Sequence, residues 1–126
     1  MTATVLFLAD EFFPTHGVRT MLSMLQLDPL GPAADMAHAV DLMRQRRPSV
    51  ALLDIEAARP FVFTLADCLA DEGIPFGFVG SGGALCAIPE RHQKRPALRK
   101  PFGINHMENL LCGLGCIRPR KSGGRQ

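Results

Sequence analysis

Along almost the whole chain, short runs of apolar residues alternate with segments in which apolar residues recur at the spacing of a helix. Residues 3–9 form an apolar run that suits a strand, and the same signal returns at 49–54 and 74–79. Shorter strands are predicted around 29–32, where prolines limit the ladder bonds, and at 97–99. The helical period is marked by four apolar sets: Val18, Met21, Leu22 and Leu25; Met36, Ala39, Val40 and Met43; Phe61, Leu65, Cys68 and Leu69; and Ile104, Met107, Leu110, Leu111 and Leu114.

Strands and helices thus alternate five times, and the strands are nearly continuous apolar runs. Such strands are typical of a parallel sheet that is covered on both faces. We therefore predict an α/β fold, a doubly wound five-stranded parallel sheet with helices on both faces. Residues 80–83 are interpreted as a flexible loop, and 84–95 as either a loop or a short helix starting at Pro89. Met21, Met24, Met36 and Met43 are interpreted as core residues of the helices, and the four histidines as surface or helix-cap residues.

Composition narrows the class of protein. The 126 residues suit one domain, which we place at 1–116, followed by a tail at 117–126 that we expect to be disordered. A net charge of +2 gives no reason to expect nucleic acid, and no apolar run of membrane-spanning length occurs. The four cysteines form no C-x-x-C pair and are interpreted as reduced. We expect a cytoplasmic protein without nucleic-acid or membrane partners.

Charged residues follow three of the predicted strands. Asp54 ends the apolar run at 49–54, Asp10 and Glu11 follow the first strand, and Lys100 follows the last. In open α/β sheets, ligands bind in the crevice outside the carboxyl ends of the strands. Acids and a lysine that converge there suit a magnesium ion and a phosphoryl group. Taken alone, each residue is more simply explained as a turn former, a cap or a solvated side chain.

With these residues in place, the chain resembles a response-regulator receiver domain of the flavodoxin-like fold over about residues 3 to 115. The resemblance rests on motifs in the family's order: VLFLADE at 5–11, ALLDI at 51–55, GIPF at 73–76 and RPALRKPF at 95–102. The segment IPER at 88–91 is similar to stand-alone receivers of alphaproteobacteria. Any one of these motifs would be weak, but their combination is specific.

The resemblance implies a single-domain response regulator of two-component signalling. A sensor histidine kinase or a histidine phosphotransfer protein would donate a phosphoryl group to Asp54. Magnesium would be held by Asp10, Asp54 and the backbone carbonyl of Glu56, and Lys100 would pair with a phosphoryl oxygen. Such a protein is not an enzyme beyond assisting its own phosphotransfer and dephosphorylation. Its output would pass to a downstream protein partner.

Two departures from the family pattern leave an alternative open. The family has two adjacent acids after the first strand, and Ala9 stands at the first position. The family also places a Ser or Thr hydroxyl at the end of the fourth strand, where counting from Pro75 gives Gly80, with Ser81 one residue later. A one-residue slip reverses the side-chain direction unless a local bulge restores it. The alternative is a pseudo-receiver, an interaction module that works without phosphorylation.

Overall fold

The computed structural model describes residues 3–8, 15–33, 35–56 and 61–117. The strands are β1 (Thr4–Leu8), β2 (Asp28–Ala33), β3 (Val50–Asp54), β4 (Phe76–Gly80) and β5 (Ala97–Arg99). The helices are α1 (Thr15–Met24), α2 (Met36–Gln45), α3 (Val62–Asp71), α4 (Gly82–Leu85) and α5 (Ile104–Gly113), with a 3-10 helix at Glu90–His92. None of the helices in these segments is long and apolar enough to cross a membrane.

The five strands form one parallel sheet in the order β2-β1-β3-β4-β5. The chain moves outward from β1 to β2, then crosses back over β1 to β3 and continues to β5. This reversal is the switch point of a doubly wound sheet, and it leaves a crevice beyond the carboxyl ends of β1 and β3. The predicted fold class is therefore confirmed, including the weak second strand.

The alternating direction of side chains along each strand divides the hydrophobic core into two layers, one on each face of the sheet. On β1, Val5 and Phe7 belong to a core cluster with residues of α1 and α5, whereas Leu6 and Leu8 belong to a second cluster with residues of α2, α3 and α4. Successive side chains of a strand point to opposite faces, so a fully apolar strand needs cover on both sides. The continuous apolar runs in the sequence have this structural cause.

Three local interpretations need correction. Residues 80–83 are not a flexible loop, because Gly80 ends β4 and Ser81 caps α4. Met24 is not in the core but is 61% exposed, since it lies at the end of α1 on its outer side. His92 is 3% exposed rather than on the surface. In contrast, His106 behaves as the predicted helix cap, because its Nδ1 accepts a hydrogen bond from the backbone N–H of Gly103 at 3.1 Å.

Candidate functional site

Asp54 lies at the carboxyl end of β3, between β1 and β4, and is only 7% exposed. Its Oδ1 accepts a hydrogen bond from the backbone N–H of Glu56 at 3.0 Å. Its Oδ2 lies 2.8 Å from the Nζ of Lys100. Burial of a carboxylate is costly unless the charge is paired and hydrogen-bonded, and both conditions are met here. One carboxylate of known orientation is thus presented at the crevice.

Lys100 reaches this carboxylate from the turn after β5. Its backbone N–H donates to the carbonyl oxygen of Gly80 at 2.9 Å, which ties the turn to the end of β4. The peptide bond between Lys100 and Pro101 is cis. The Lys100 Nζ also lies 3.4 Å from Oε1 of Glu56. One ammonium group therefore bridges two carboxylates, and these three side chains together carry one net negative charge.

The Glu56 side chain is the part of the site that sequence reasoning missed, because only its backbone carbonyl was expected to act. The Glu56 carboxylate accepts hydrogen bonds from the backbone N–H of Ser81 to Oε1 and from the Ser81 hydroxyl to Oε2, both at 3.1 Å. Burial would raise the pKa of this carboxyl group, but the bonds from Ser81 and the nearby Lys100 outweigh it and hold the pKa below its ordinary value. Glu56 is therefore ionised at neutral pH.

Ser81 connects the site to α4. Its backbone is extended and its hydroxyl oxygen accepts a hydrogen bond from the N–H of Ala84 at 3.4 Å, so Ser81 is the N-cap of α4. A side chain at Gly80 would face elsewhere, because its Cβ would lie 3.3 Å from Cβ of Ala84 and 3.6 Å from Cδ2 of Leu85. The hydroxyl that lies at the site therefore belongs to Ser81, and position 80 faces an apolar contact.

The structure thus brings together Asp54, Glu56, Ser81 and Lys100 from the carboxyl ends of three strands, β3, β4 and β5. Asp10 and its neighbours Ala9 and Glu11 lie outside the described residues. Within the described ranges, no group of three His, Cys, Asp or Glu side chains is close enough to hold a metal ion. Asp54 and Glu56 nevertheless supply oxygen donors at one edge of the sheet, and oxygen is the ligand that Mg²⁺ prefers. The chemistry of these oxygen ligands fits magnesium.

A second polar cluster, also unforeseen, packs α3 against the segment before β5. Arg91 donates to both oxygens of Asp67, from Nε at 2.8 Å and Nη2 at 2.9 Å, and His92 Nε2 lies 2.8 Å from Oδ1 of the same carboxylate. The His92 ring packs against Phe76 with 5.5 Å between ring centroids, and the Arg95 guanidinium lies over the Phe76 ring at 4.3 Å. The hydrogen bonds from Arg91 and His92 lower the pKa of Asp67 to about 2. This cluster holds the 3-10 helix against the sheet.

The sheet order defines the class of protein. A five-stranded parallel sheet in the order β2-β1-β3-β4-β5 with helices on both faces matches the fold of the receiver domain of NtrX. The chain is a receiver domain of the kind found in response regulators.

Known proteins that the chain resembles agree with this class. SdrG from Sphingomonas melonis Fr1 is 26% identical with a TM-score of 0.74, over 90% of this chain and 96% of SdrG. The receiver domain of NtrX from Brucella abortus superposes with a TM-score of 0.74 at 20% identity, over 87% of this chain and 96% of that one. The response regulator PhyR from Brucella abortus gives a TM-score of 0.67 at 23% identity, over 88% of this chain and 46% of PhyR.

One relative is found by sequence. Protein-glutamate methylesterase/protein-glutamine glutaminase 2 of Shewanella oneidensis is 32% identical over an alignment of 114 residues, and the match covers 75% of this chain. The chain spans only 31% of the length of that relative. No family model matches the sequence.

Proposed function

We propose that the protein accepts a phosphoryl group on Asp54 from a sensor histidine kinase or a histidine phosphotransfer protein and works as a single-domain response regulator. The observation that carries the proposal is the pairing of Asp54 Oδ2 with Lys100 Nζ at 2.8 Å, at the crevice of the sheet. The carboxylate is held in place by the backbone, and the cation lies where negative charge would increase during transfer.

The chemistry would proceed on the Asp54 carboxylate. A carboxylate oxygen attacks the phosphorus of a phosphohistidine in line, the P–N bond breaks, and the imidazole leaves with the bonding electron pair and takes up a proton. An acyl phosphate remains on Asp54. Negative charge on this side chain rises in the process, and Lys100 would offset part of it as a point charge. Positioning and charge neutralisation account for most of the catalysis in such transfers.

Magnesium would supply the remaining positive charge when bound. The residues that would hold it are the carboxylates of Asp10 and Asp54 and the backbone carbonyl of Glu56. Because Ala9 removes one acid that the family usually has, we expect weak magnesium binding that depends on Asp10. Titration of the wild type and Asp10→Ala tests this, and equal magnesium affinity in the two proteins would place the metal elsewhere.

The direct test is phosphorylation by a small acyl phosphate in the presence of magnesium, followed by intact mass measurement. The wild type should gain the mass of one phosphoryl group, and Asp54→Asn should not. Asp71→Asn is the matched control, because it makes the same change at an exposed position at the end of α3 and should be labelled like the wild type. Labelling of Asp54→Asn at the wild-type rate would remove Asp54 from the acceptor role.

A specific observation favours a second candidate, the pseudo-receiver that acts through partner binding alone. Glu56 already engages both Lys100 and Ser81, the two groups that would otherwise bind a phosphoryl oxygen. If Glu56 held these two groups permanently, they could not bind a phosphoryl group on Asp54. The labelling experiment distinguishes the candidates, since a pseudo-receiver would gain no phosphoryl mass while keeping its fold. In either case, signal output would pass through a downstream protein partner.

A further inference from the structure

Three donors at the crevice converge on one internal carboxylate. Glu56 accepts hydrogen bonds from the N–H and the hydroxyl of Ser81 and lies 3.4 Å from the ammonium group of Lys100. The Glu56 side chain is 30% exposed, so it is not locked in a closed core. Its carboxylate is held by these polar contacts at the entrance of the site.

These donors are the groups that a phosphoryl group on Asp54 would need. A phosphoryl group offers only acceptor oxygens and about two negative charges. Lys100 already touches Asp54 and Glu56 at once, at 2.8 Å and 3.4 Å. A phosphoryl group that paired with Lys100 and Ser81 would bring its negative charge next to the Glu56 carboxylate. Like charges at such short range repel, and the donors cannot serve both anions fully.

We propose that Glu56 is an internal competitor for the phosphoryl group: in the unmodified protein its carboxylate occupies the donors of Lys100 and Ser81, and a phosphoryl group on Asp54 displaces it. This inference rests on the proposed function. It adds Glu56 as a residue that sets the rate of phosphorylation of Asp54 and the structural response to it. When Glu56 leaves, the Ser81 hydroxyl turns from Glu56 to a phosphoryl oxygen. Because the same hydroxyl caps α4 through Ala84, the exchange changes the start of α4.

Side-chain substitutions at position 56 test the competition. Glu56→Gln keeps the shape and removes the charge, and Glu56→Ala removes the carboxylate altogether, while both keep the backbone carbonyl that is proposed for magnesium. Glu90→Gln is the matched control, because it removes one charge from an exposed position in the 3-10 helix. The probe is beryllofluoride with magnesium, chosen because a BeF3-activated conformation has been described for SdrG, which is 26% identical. Binding is followed by the backbone amide signals of Ser81 and Ala84.

Both Glu56 variants should bind beryllofluoride roughly three- to tenfold more tightly than the wild type, the range for a pair of partly exposed charges. The gain should shrink as salt is added, because salt screens exposed charges. Both variants should also be labelled faster by a small acyl phosphate, whereas Glu90→Gln should match the wild type. In free Glu56→Ala, the Ser81 amide signal should already differ from that of the wild type.

The outcomes separate this inference from the proposed function. If the wild type is labelled on Asp54 but the Glu56 variants bind beryllofluoride equally or more weakly, the competition is refuted and the phosphoacceptor role stands. If no variant, including Glu56→Ala, binds beryllofluoride or gains phosphoryl mass, then the proposed function fails and this inference fails with it. Unfolding curves for each variant show that the compared proteins are folded.

Discussion

Gly77 is the second residue of β4 and lies opposite Leu52 of β3, and its lack of a side chain allows α5 to approach the sheet closely. A Cβ at this position would lie 3.1 Å from Cδ1 of Leu110 and 3.1 Å from the backbone oxygen of Pro96. Leu110 can shift, since its side chain is flexible. The Pro96 oxygen is held in place, because it accepts a hydrogen bond from the N–H of Phe78 at 3.0 Å. One of the two contacts therefore cannot relax easily.

We expect Gly77→Ala to destabilise the protein although alanine is usually better tolerated than glycine in a strand. Adding a methyl group to a packed core costs about 1–3 kcal/mol when the surroundings must move. In a domain of this length each kcal/mol shifts Tm by about 4 °C, so Tm should fall by roughly 4–12 °C. The measurement is thermal unfolding, supported by urea denaturation to confirm that the slope of the transition is unchanged.

Gly113→Ala is the control, because the same substitution is expected to raise the stability of the protein there instead of lowering it. Gly113 is the last residue of α5, and a Cβ there would meet nothing within 4 Å. Alanine is the better helix former, so this variant should be stabilised by up to about 1 kcal/mol. A Gly77→Ala variant with a Tm equal to or above that of the wild type would refute the packing argument, whatever Gly113→Ala does.

The remaining predictions concern the two polar clusters and the methionines. Ser81→Ala removes the cap of α4 and should lower the free energy of unfolding by about 0.5–2 kcal/mol in urea denaturation, whereas a loss of zero would show that the cap is not formed. Folding lowers the pKa of Asp67 from 3.8 to about 2. The ionised Asp67 therefore stabilises the folded protein fully at pH values above 3.8, and this stabilisation is lost as the pH falls through about 2. The Tm difference between wild type and Asp67→Asn should therefore shrink on acidification, and a constant difference would contradict the ion pairing. Met24→Ala, at an exposed position, should change the free energy of unfolding by less than about 0.5 kcal/mol. Met107→Ala, at a fully buried position, should lower it by about 2–5 kcal/mol, and equal losses in the two variants would contradict the difference in burial.

Most of the architecture could be predicted from local signals. The strands β1, β3 and β4 are continuous apolar runs, because each is covered on both faces, and β5 was predicted with the bounds that the structure has. Helix positions follow from the 3.6-residue period of their apolar residues. The convergence of Asp54 and Lys100 could also be predicted, because parallel strands bring their carboxyl ends to one edge of the sheet. Their role in phosphotransfer stays a prediction.

Other features depend on where side chains point after the backbone is in place. The glycines near Ser81 suggested flexibility, yet the hydrogen bonds of Ser81 to Glu56 and Ala84 order this segment and begin α4. Counting along the strand placed the hydroxyl position at Gly80, whereas the extended backbone at Ser81 turns that residue's hydroxyl toward Glu56. A difference of one residue decides which face a side chain occupies, and the periodicity of the sequence does not resolve it at a strand end.

The contacts that shape both polar clusters join residues far apart in the chain. Glu56 and Ser81 are 25 residues apart, as are Asp67 and His92. Helical and strand periods relate only near neighbours, so the sequence determines that these side chains exist on particular elements but not that they meet. Packing of α3 and the 3-10 helix on the sheet brings the second pair together and buries His92. The tertiary structure alone decides these pairings. A hydrogen bond requires a donor–acceptor distance that is correct to within a few tenths of an ångström, and no local pattern encodes such a distance.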